Sequence, residues 1–437
     1  MKRVTINFEK EIGKIKPMHA VNNGPKYTGN DQSRGNFKEY ATAGIPYARN
    51  HDASFCSAYG GEHTVDVHAI FPNFDADVND PTSYDFICTD TYTKSIIEAG
   101  TKVFYRLGSK IEHEVKKYNT LPPKDFKKWA EICEHIIMHY TEGWADGFHY
   151  DIEYWEIWNE PDLDPDDSDN KRTWGGTKAQ FFDLYEIAAK HLKNRFPNLK
   201  IGGPAIAWNE EWAADFLEEM KNRGVEIDFF SWHIYCTEPV WMIEKAERIK
   251  KLMVDNGYGN AESILNEWNY VKGWDAEWIY SIESIISMKG AAFIAACMLA
   301  SQHSSIDMLM YYDARLNTAM NGMFDFYTFR PLKGYYPFKM FSTLYQMGTS
   351  VECVIDGAEV YAVGAKDAER GSSAMLCYYT DDDNAGEKTV QVELANASDT
   401  YELYLLDEDN NGELLKTVDN SFEITLKRNT VVLLKSC

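Results

Sequence analysis

Two periodicities alternate along the first three quarters of the chain. Short uninterrupted apolar runs come first: residues 16–25, 45–50, 102–107, 152–158, 199–204, 227–235, 263–269 and 306–313. Between them lie stretches with apolar residues at helical spacing. Residues 124–140 place Phe126, Trp129, Ile132, Cys133, Ile136 and Ile137 on one side of a helix. Thr177 reads as the N-cap of a helix carrying Phe181, Leu184, Tyr185, Ala188 and Leu192. A helix over 90–99 stops at Gly100, a C-cap signal. Apolar strands without polar alternation are buried on both faces, as in parallel sheets covered by helices. Eight such strand–helix units predict a (β/α)8 TIM barrel. An open doubly wound sheet would want a glycine fingerprint after an early strand, and none is present.

After about residue 346 the period shortens to two. Segments such as Val360–Val363, Ala374–Tyr379, Val390–Leu394, Tyr401–Leu406 and Thr430–Leu434 are separated by turn-rich stretches. Asp381–Gly386 and Asp407–Gly412 read as hairpin turns. This predicts a C-terminal antiparallel β-sandwich. Residues 2–9 also alternate, with Val4, Ile6 and Phe8 on one face, ahead of the first barrel strand. The expected organisation is an N-terminal strand (1–14) joining the sandwich, a catalytic barrel (15–345) and the sandwich itself (346–437).

The bulk numbers narrow the function. The chain has 437 residues, 44% hydrophobic and 14% aromatic, with a formal net charge of −24. So acidic a chain argues against nucleic acid or anionic membrane as partner, since both need a basic face. The first residues hold no apolar run long enough for a signal peptide, and no stretch approaches a membrane span. Eight cysteines lie far apart without a C-x-x-C, which fits reduced thiols and a cytoplasmic location. The apolar run 290–300 reads as a buried helix. A homo-oligomer is compatible with all of this.

The chemistry concentrates at strand ends. The fourth and seventh barrel strands both finish in Asn-Glu: Asn159-Glu160 and Asn266-Glu267, 107 residues apart. In an eight-stranded ring these strands face each other across the mouth, at the end where barrels carry their active sites. Two carboxylates meeting there can act on one glycosidic bond, roughly 5–5.5 Å apart for retention and 6.5–9.5 Å for inversion. Glu160, between Trp158 and Pro161, is expected to be desolvated and to hold its proton near neutral pH. Arg49 projects from across the barrel and would keep Glu267 ionised. Further sugar-contact candidates end neighbouring strands: His51, His233, Tyr235 and Tyr312. Trp158 and Trp268 are expected to offer flat faces to a sugar ring. Taken alone, an Asn-Glu-Pro is equally well a loop carboxylate after an aromatic strand; the clustering at one barrel end favours a site.

Other signals carry less. The acidic run 162–169 lacks the glycine and distal Glu of a calcium loop. His135 and His139 are read as a helix-surface pair, since Glu134 precedes the first histidine and breaks the metalloprotease pattern. His63 and His68 in the long 51–85 loop make a weak metal pair. No cofactor or metal is expected.

The chain resembles glycoside hydrolase family 39, the β-xylosidase and α-L-iduronidase family of clan A. The residues that carry the resemblance are Lys16-Pro17 to Gly24-Pro25, Tyr47-Ala48-Arg49-Asn50-His51, Trp155-Glu156-Ile157-Trp158-Asn159-Glu160-Pro161-Asp162 and Gly202-Gly203-Pro204. By that resemblance Glu160 is the acid/base and Glu267 the nucleophile of a retaining mechanism, and Asn159 holds the sugar's 2-hydroxyl. The sequence departs at Asp52-Ala53-Ser54 and at Asn266-Glu267-Trp268-Asn269, both beside the sugar pocket. No Lys or Arg stands beside His233, which weighs against a uronic acid. The expectation is an exo-acting enzyme releasing a terminal neutral sugar, β-xylosidase-like, from plant-type oligosaccharides. Its alternatives are an exo- or endo-glycosidase of the same clan on an arabinose- or galactose-containing glycan, and a barrel that binds glycan without cleaving it.

Overall fold

The computed structural model describes residues 2–26, 35–52, 64–397 and 400–437. The N-terminal strand is β1 (Lys2–Lys14). Eight parallel strands then close into a barrel in chain order: β2 (Ala20–Asn22), β3 (Tyr47–Arg49), β4 (Lys102–Leu107), β5 (Tyr154–Ile157), β6 (Lys200–Ile206), β7 (Phe229–Cys236), β8 (Glu262–Tyr270) and β9 (Met308–Tyr311). Each overlaps one of the apolar runs read from the sequence, and β6, β7 and β8 extend one or two residues beyond theirs. Helices follow the expected spacing, including Phe126–Thr141 and Lys178–Arg195, the latter opened by a capping box between Thr177 and Gln180.

Side chains enter the barrel at every second strand position. Ala20, Phe104, Tyr154, Phe229, Ile264, Met308 and Met310 pack there as an apolar plug. Two residues further along six of the strands the plug gives way to a polar layer: Asn22, Arg49, Arg106, Glu156, Ser231 and Asn266, each essentially solvent-free. The outward-facing partners, such as Trp155, Ile157, Phe230 and Leu265, belong to the core shared with the surrounding helices.

Three details at the strand ends depart from strict alternation. β8 carries an extra residue, because Trp232 lies opposite Leu265 but His233 lies opposite Glu267. This bulge lets Asn266 and Glu267 both face inward and turns Trp268 out. Just after β5, Trp158 adopts φ 75° and leaves the inward register; Glu160 follows at φ 49°. β6 is bulged between Gly203 and Ile206. Residues 53–63 of the long second loop, with His63, lie outside the described residues. His68, in a short helix at Val67–Ile70 within that loop, stands 3.9 Å from Asp66.

The remaining strands are β10 (Thr349–Asp356), β11 (Val360–Asp367), β12 (Gly371–Tyr378), β13 (Lys388–Ala395), β14 (Thr400–Leu406), β15 (Asn411–Asp419), β16 (Ser421–Leu426) and β17 (Thr430–Ser436). With β1 they form a single nine-stranded sheet ordered β15-β14-β17-β12-β11-β10-β1-β13-β16. All pairings are antiparallel except β1 with β13. Its two edge strands, β15 and β16, are joined through Asn420 alone, so the sheet must curl almost onto itself. Val4, Ile6, Ala374, Leu376, Val432 and Leu434 fill its concave face. The alternate residues Val363, Met375, Cys377, Val431 and Leu433 pack into the barrel's core. The central strands are thus buried on both faces.

Two sequence expectations are corrected. Asp407–Gly412 joins the paired strands β14 and β15, but Asp381–Gly386 is no hairpin, because β12 and β13 are not neighbours. That loop crosses to the barrel, where Asp381 accepts hydrogen bonds from Tyr270 and Lys289. His135 and His139 are buried, not on the helix surface. His139 stacks on Phe86 and bonds Asp90 and the Trp144 carbonyl, so its ring nitrogens are engaged.

Candidate active site

The polar layer of the barrel is a network centred on Arg49. Its Nε donates to Glu156 at 2.6 Å, Nη1 to Asn22 at 3.0 Å and to Glu267 at 2.8 Å, and Nη2 to Asn159 at 2.6 Å. A guanidinium with no solvent exposure needs this many acceptors. Glu156 completes its shell with Ser231 at 2.6 Å and Asn266 at 2.5 Å. One cation therefore sits between two carboxylates, and its fork fixes the orientation of Glu267 and Asn159 together.

Above this layer the strand ends open into a cavity of about 610 Å³ lined by His51, Asn159, Glu160, Tyr235, Glu267 and Tyr312, among others. That size suits a small-molecule site. Glu160, His233 and Glu267 each place a polar atom within 4.8 Å of the others. The two carboxyl groups face unequal surroundings. Glu267 receives Arg49 on one oxygen and the Tyr235 hydroxyl, at 2.8 Å, on the other. Among the described residues, no lysine or arginine is in direct contact with Glu160. Burial, with the nearby Asp162 charge second, pushes its pKa up to about 8. His233 Nδ1 lies 2.9 Å from Glu160 Oε1. Burial lowers the His233 pKa to about 4, so it is a neutral imidazole at this carboxyl. His51 is likewise held neutral by burial, pushed down to about 4, with Nε2 3.7 Å from Glu267.

The donor types of Glu160, His233 and Glu267 would suit a divalent metal. A metal there would compete with Arg49 and Tyr235, which already occupy both Glu267 oxygens, so the trio fits a proton-transfer site better than a metal cage.

Of the residues singled out from sequence, Arg49, His51, Asn159, Glu160, His233, Tyr235, Glu267 and Tyr312 converge on this cavity or its floor. Trp158 and Trp268 do not. The reversed backbone at Trp158 sends its ring outward between Trp129 and Trp174, with Nε1 donating to the Thr173 carbonyl. The β8 bulge sends Trp268 outward against Tyr311 and Phe293. The tryptophans that do line the cavity are Trp208 and Trp274, in loops after β6 and β8. No periodicity marks them. Glu156 was also missed, although its position two residues after the lumen-facing Tyr154 was a usable signal. Asp313 is a further buried carboxyl at the end of β9, pushed up to about 7 by burial and paired weakly with Arg315 at 3.8 Å.

Residues 48–267 match the family described as Glycosyl hydrolases family 39. Among characterised relatives, 126 residues are 36% identical to a β-xylosidase of Geobacillus stearothermophilus, covering 28% of this chain and 23% of that protein. A second stretch of 276 residues is 26% identical to a β-xylosidase of Caldicellulosiruptor saccharolyticus, covering 57% of this chain and 52% of the relative. The matches therefore span about a quarter and about half of those proteins. A glucosidase structure from Croceicoccus marinus superposes with a TM-score of 0.80 at 21% identity, over 99% of this chain and 98% of that one. A monomeric β-xylosidase from Caulobacter crescentus gives 0.73 at 16% identity over the whole of both chains. These two likenesses establish the shared architecture. With the match running from Ala48 on β3 to Glu267 on β8, across both Asn-Glu strand ends, the chain belongs to glycosyl hydrolase family 39.

Proposed function

We propose that the protein is a retaining exo-glycosidase that releases a terminal neutral sugar, β-xylosidase-like, from oligosaccharides. The observation that carries this is the pair of carboxyl groups with oxygens within 4.8 Å of one another and opposite environments. That approach of one oxygen from each group is nearer the roughly 5–5.5 Å of retaining pairs than the roughly 6.5–9.5 Å that admits a water, which supports direct attack over inversion. The carboxyl that burial holds protonated is the one suited to donate a proton.

In this reading Glu160 enters the reaction protonated and gives its proton to the leaving oxygen as the glycosidic bond breaks. Glu267, held by Arg49 and Tyr235, attacks the anomeric carbon and forms a covalent glycosyl–enzyme. Glu160, now a carboxylate, takes a proton from water; that water displaces Glu267, and both carboxyl groups return to their starting states. Asn159, fixed by Arg49 Nη2, presents its amide to the sugar's 2-hydroxyl. His233, neutral and touching Glu160, orients the acid without competing for the proton. The names of the two β-xylosidase relatives support xylose as the sugar. The packed loop at 162–176, which walls the cavity through Leu163 and Arg172, supports exo action.

Initial rates on p-nitrophenyl β-xyloside, α-L-arabinosides, β-galactoside and β-glucoside, with wild type beside Glu267→Ala, test the reading. Release from the β-xyloside, abolished by the substitution, is the expected result. Equal rates in the two proteins would remove the assignment. Silence of the wild type on all four would favour a barrel that binds glycan without cleaving it.

A further inference from the structure

The cavity has two sides, and they are built differently. On the side of Glu267 stand His51, Tyr235, Tyr312 and Trp274. His51 lies 3.7 Å from Glu267, Tyr235 donates to it, Tyr312 packs edge-on against His51, and Trp274 packs edge-on against Tyr235. Leu163, Arg172, Ala207 and Trp208 also line the cavity and are tied to the loop that carries Glu160, through Asp162 and Asp164. If Glu160 protonates the leaving oxygen, the group that departs must lie on this second side.

Trp208 is 61% exposed, yet it is not loose. Its backbone N–H donates to Asp162 at 3.0 Å, flanked by the N–H groups of Ala207 at 2.8 Å and Asn209 at 2.9 Å on the same carboxylate. Its indole Nε1 reaches the Leu163 carbonyl at 3.4 Å. Asp162 and Leu163 belong to the turn that carries Glu160. The acid and the indole are therefore fastened to one another by a single tether. Arg172 is held against the same loop by Asp164, at 2.7 Å from Nη2 and 3.1 Å from Nε, with its side chain 35% exposed. The next residue, Thr173, donates to the Glu160 carbonyl. A large aromatic face held rigid in a cavity wall, next to a fixed fork of donors balanced by a carboxylate, is complementary to a pyranose: the ring stacks and its hydroxyls meet the fork. Rigidity of this kind lowers the ordering cost of binding.

We infer that Trp208 and Arg172 form the subsite for the leaving-group sugar, so that the preferred substrates are glycosides of another neutral saccharide rather than of small or non-sugar alcohols. This rests on the roles proposed above for Glu160 and Glu267. Because the subsite and the acid share one tether, binding of the departing sugar sets the position of the proton donor.

The test compares two donors that share a glycone: xylobiose, which fills the second side, and β-xylosyl fluoride, whose leaving group has no ring to stack and needs little help from an acid. Trp208→Ala is expected to lower the ratio of kcat/KM on xylobiose to that on the fluoride at least tenfold, and Arg172→Ala about tenfold. Trp208→Phe, which keeps an aromatic face, is expected to recover most of the ratio. Fluoride turnover shows in the same experiment that each variant is folded. An unchanged ratio in Trp208→Ala, with wild type active on both donors, overturns the inference and leaves the carboxylate roles standing. A wild type silent on both donors removes the xylosidase reading and this inference with it.

Discussion

At the scale of single residues, the site is a problem of keeping one carboxyl, Glu160, neutral beside another that an arginine grips. Glu160 is buried near Asp162, and both effects favour its protonated form. The acid must carry its proton to act, so kcat/KM on xylobiose is expected to fall as pH rises through about 8. Asp162→Asn removes the neighbouring negative charge, and the alkaline limb of the pH–rate profile should then move to lower pH. An unmoved limb would mean that another group sets it. Glu160→Gln should cost about 10²–10⁴ in kcat on xylobiose, the usual range for a positioned acid, and far less on β-xylosyl fluoride. The Arg49 network makes a separate prediction. Glu156→Ala leaves the buried guanidinium short of one carboxylate and is expected to cost about 3–5 kcal/mol of stability in urea denaturation. Glu156→Gln, which keeps an acceptor for Nε, should cost clearly less.

At the scale of elements, the strands were legible and their ends were not. Uninterrupted apolar runs flanked by helical spacing admit few arrangements, so eight parallel strands could be read before any contact was known. The Asn-Glu pairs at two strand ends were legible too, because polar residues closing an apolar run have few structural explanations. What the sequence concealed was the face each end residue takes. Strict alternation from Ile264 would have turned Asn266 and Trp268 inward and Glu267 outward; one bulged residue on β8 reverses the last two. A single left-handed residue does the same at Trp158. Adjacent positions such as Glu267 and Trp268 seldom line one cavity together, which is why the two expected tryptophans were wrong and two loop tryptophans took their place. β6 shows the cost of close approach at these ends. A Cβ on Gly202 would press on the Phe229 carbonyl and ring of the neighbouring strand. Gly202→Ala is expected to lose roughly 1–3 kcal/mol or more, seen as a lowered thermal midpoint and poorer soluble yield.

At the scale of the whole molecule, the barrel and the curled sheet share a core. The helix Met288–Ser301 is apolar and buried almost throughout, because the barrel covers one side and β11, β12 and β17 cover the other. Cys377 even donates to the Ala292 carbonyl within that helix. Truncation after residue 346 would expose this helix and the helix Tyr335–Met347, and the barrel is expected to aggregate when expressed alone. The first strand ties the two ends of the chain together. β1 lies between β10 and β13 and buries Val4 and Ile6 completely. Ile6→Asp should therefore destabilise the sheet strongly and, through the shared core, lower the thermal midpoint of activity as well. Independent melting of barrel and sheet in that variant would contradict the shared-core account.

The central claim is that Glu267 attacks the sugar and Glu160 does not. It is tested most directly by incubating the protein with 2-deoxy-2-fluoro-β-xylosyl fluoride, which slows breakdown of a glycosyl–enzyme, and locating any adduct by peptide mass spectrometry. The expected result is one sugar per chain on the peptide containing Glu267, absent in Glu267→Ala. An adduct on Glu160, or none from a protein that turns over β-xylosides, would contradict the account.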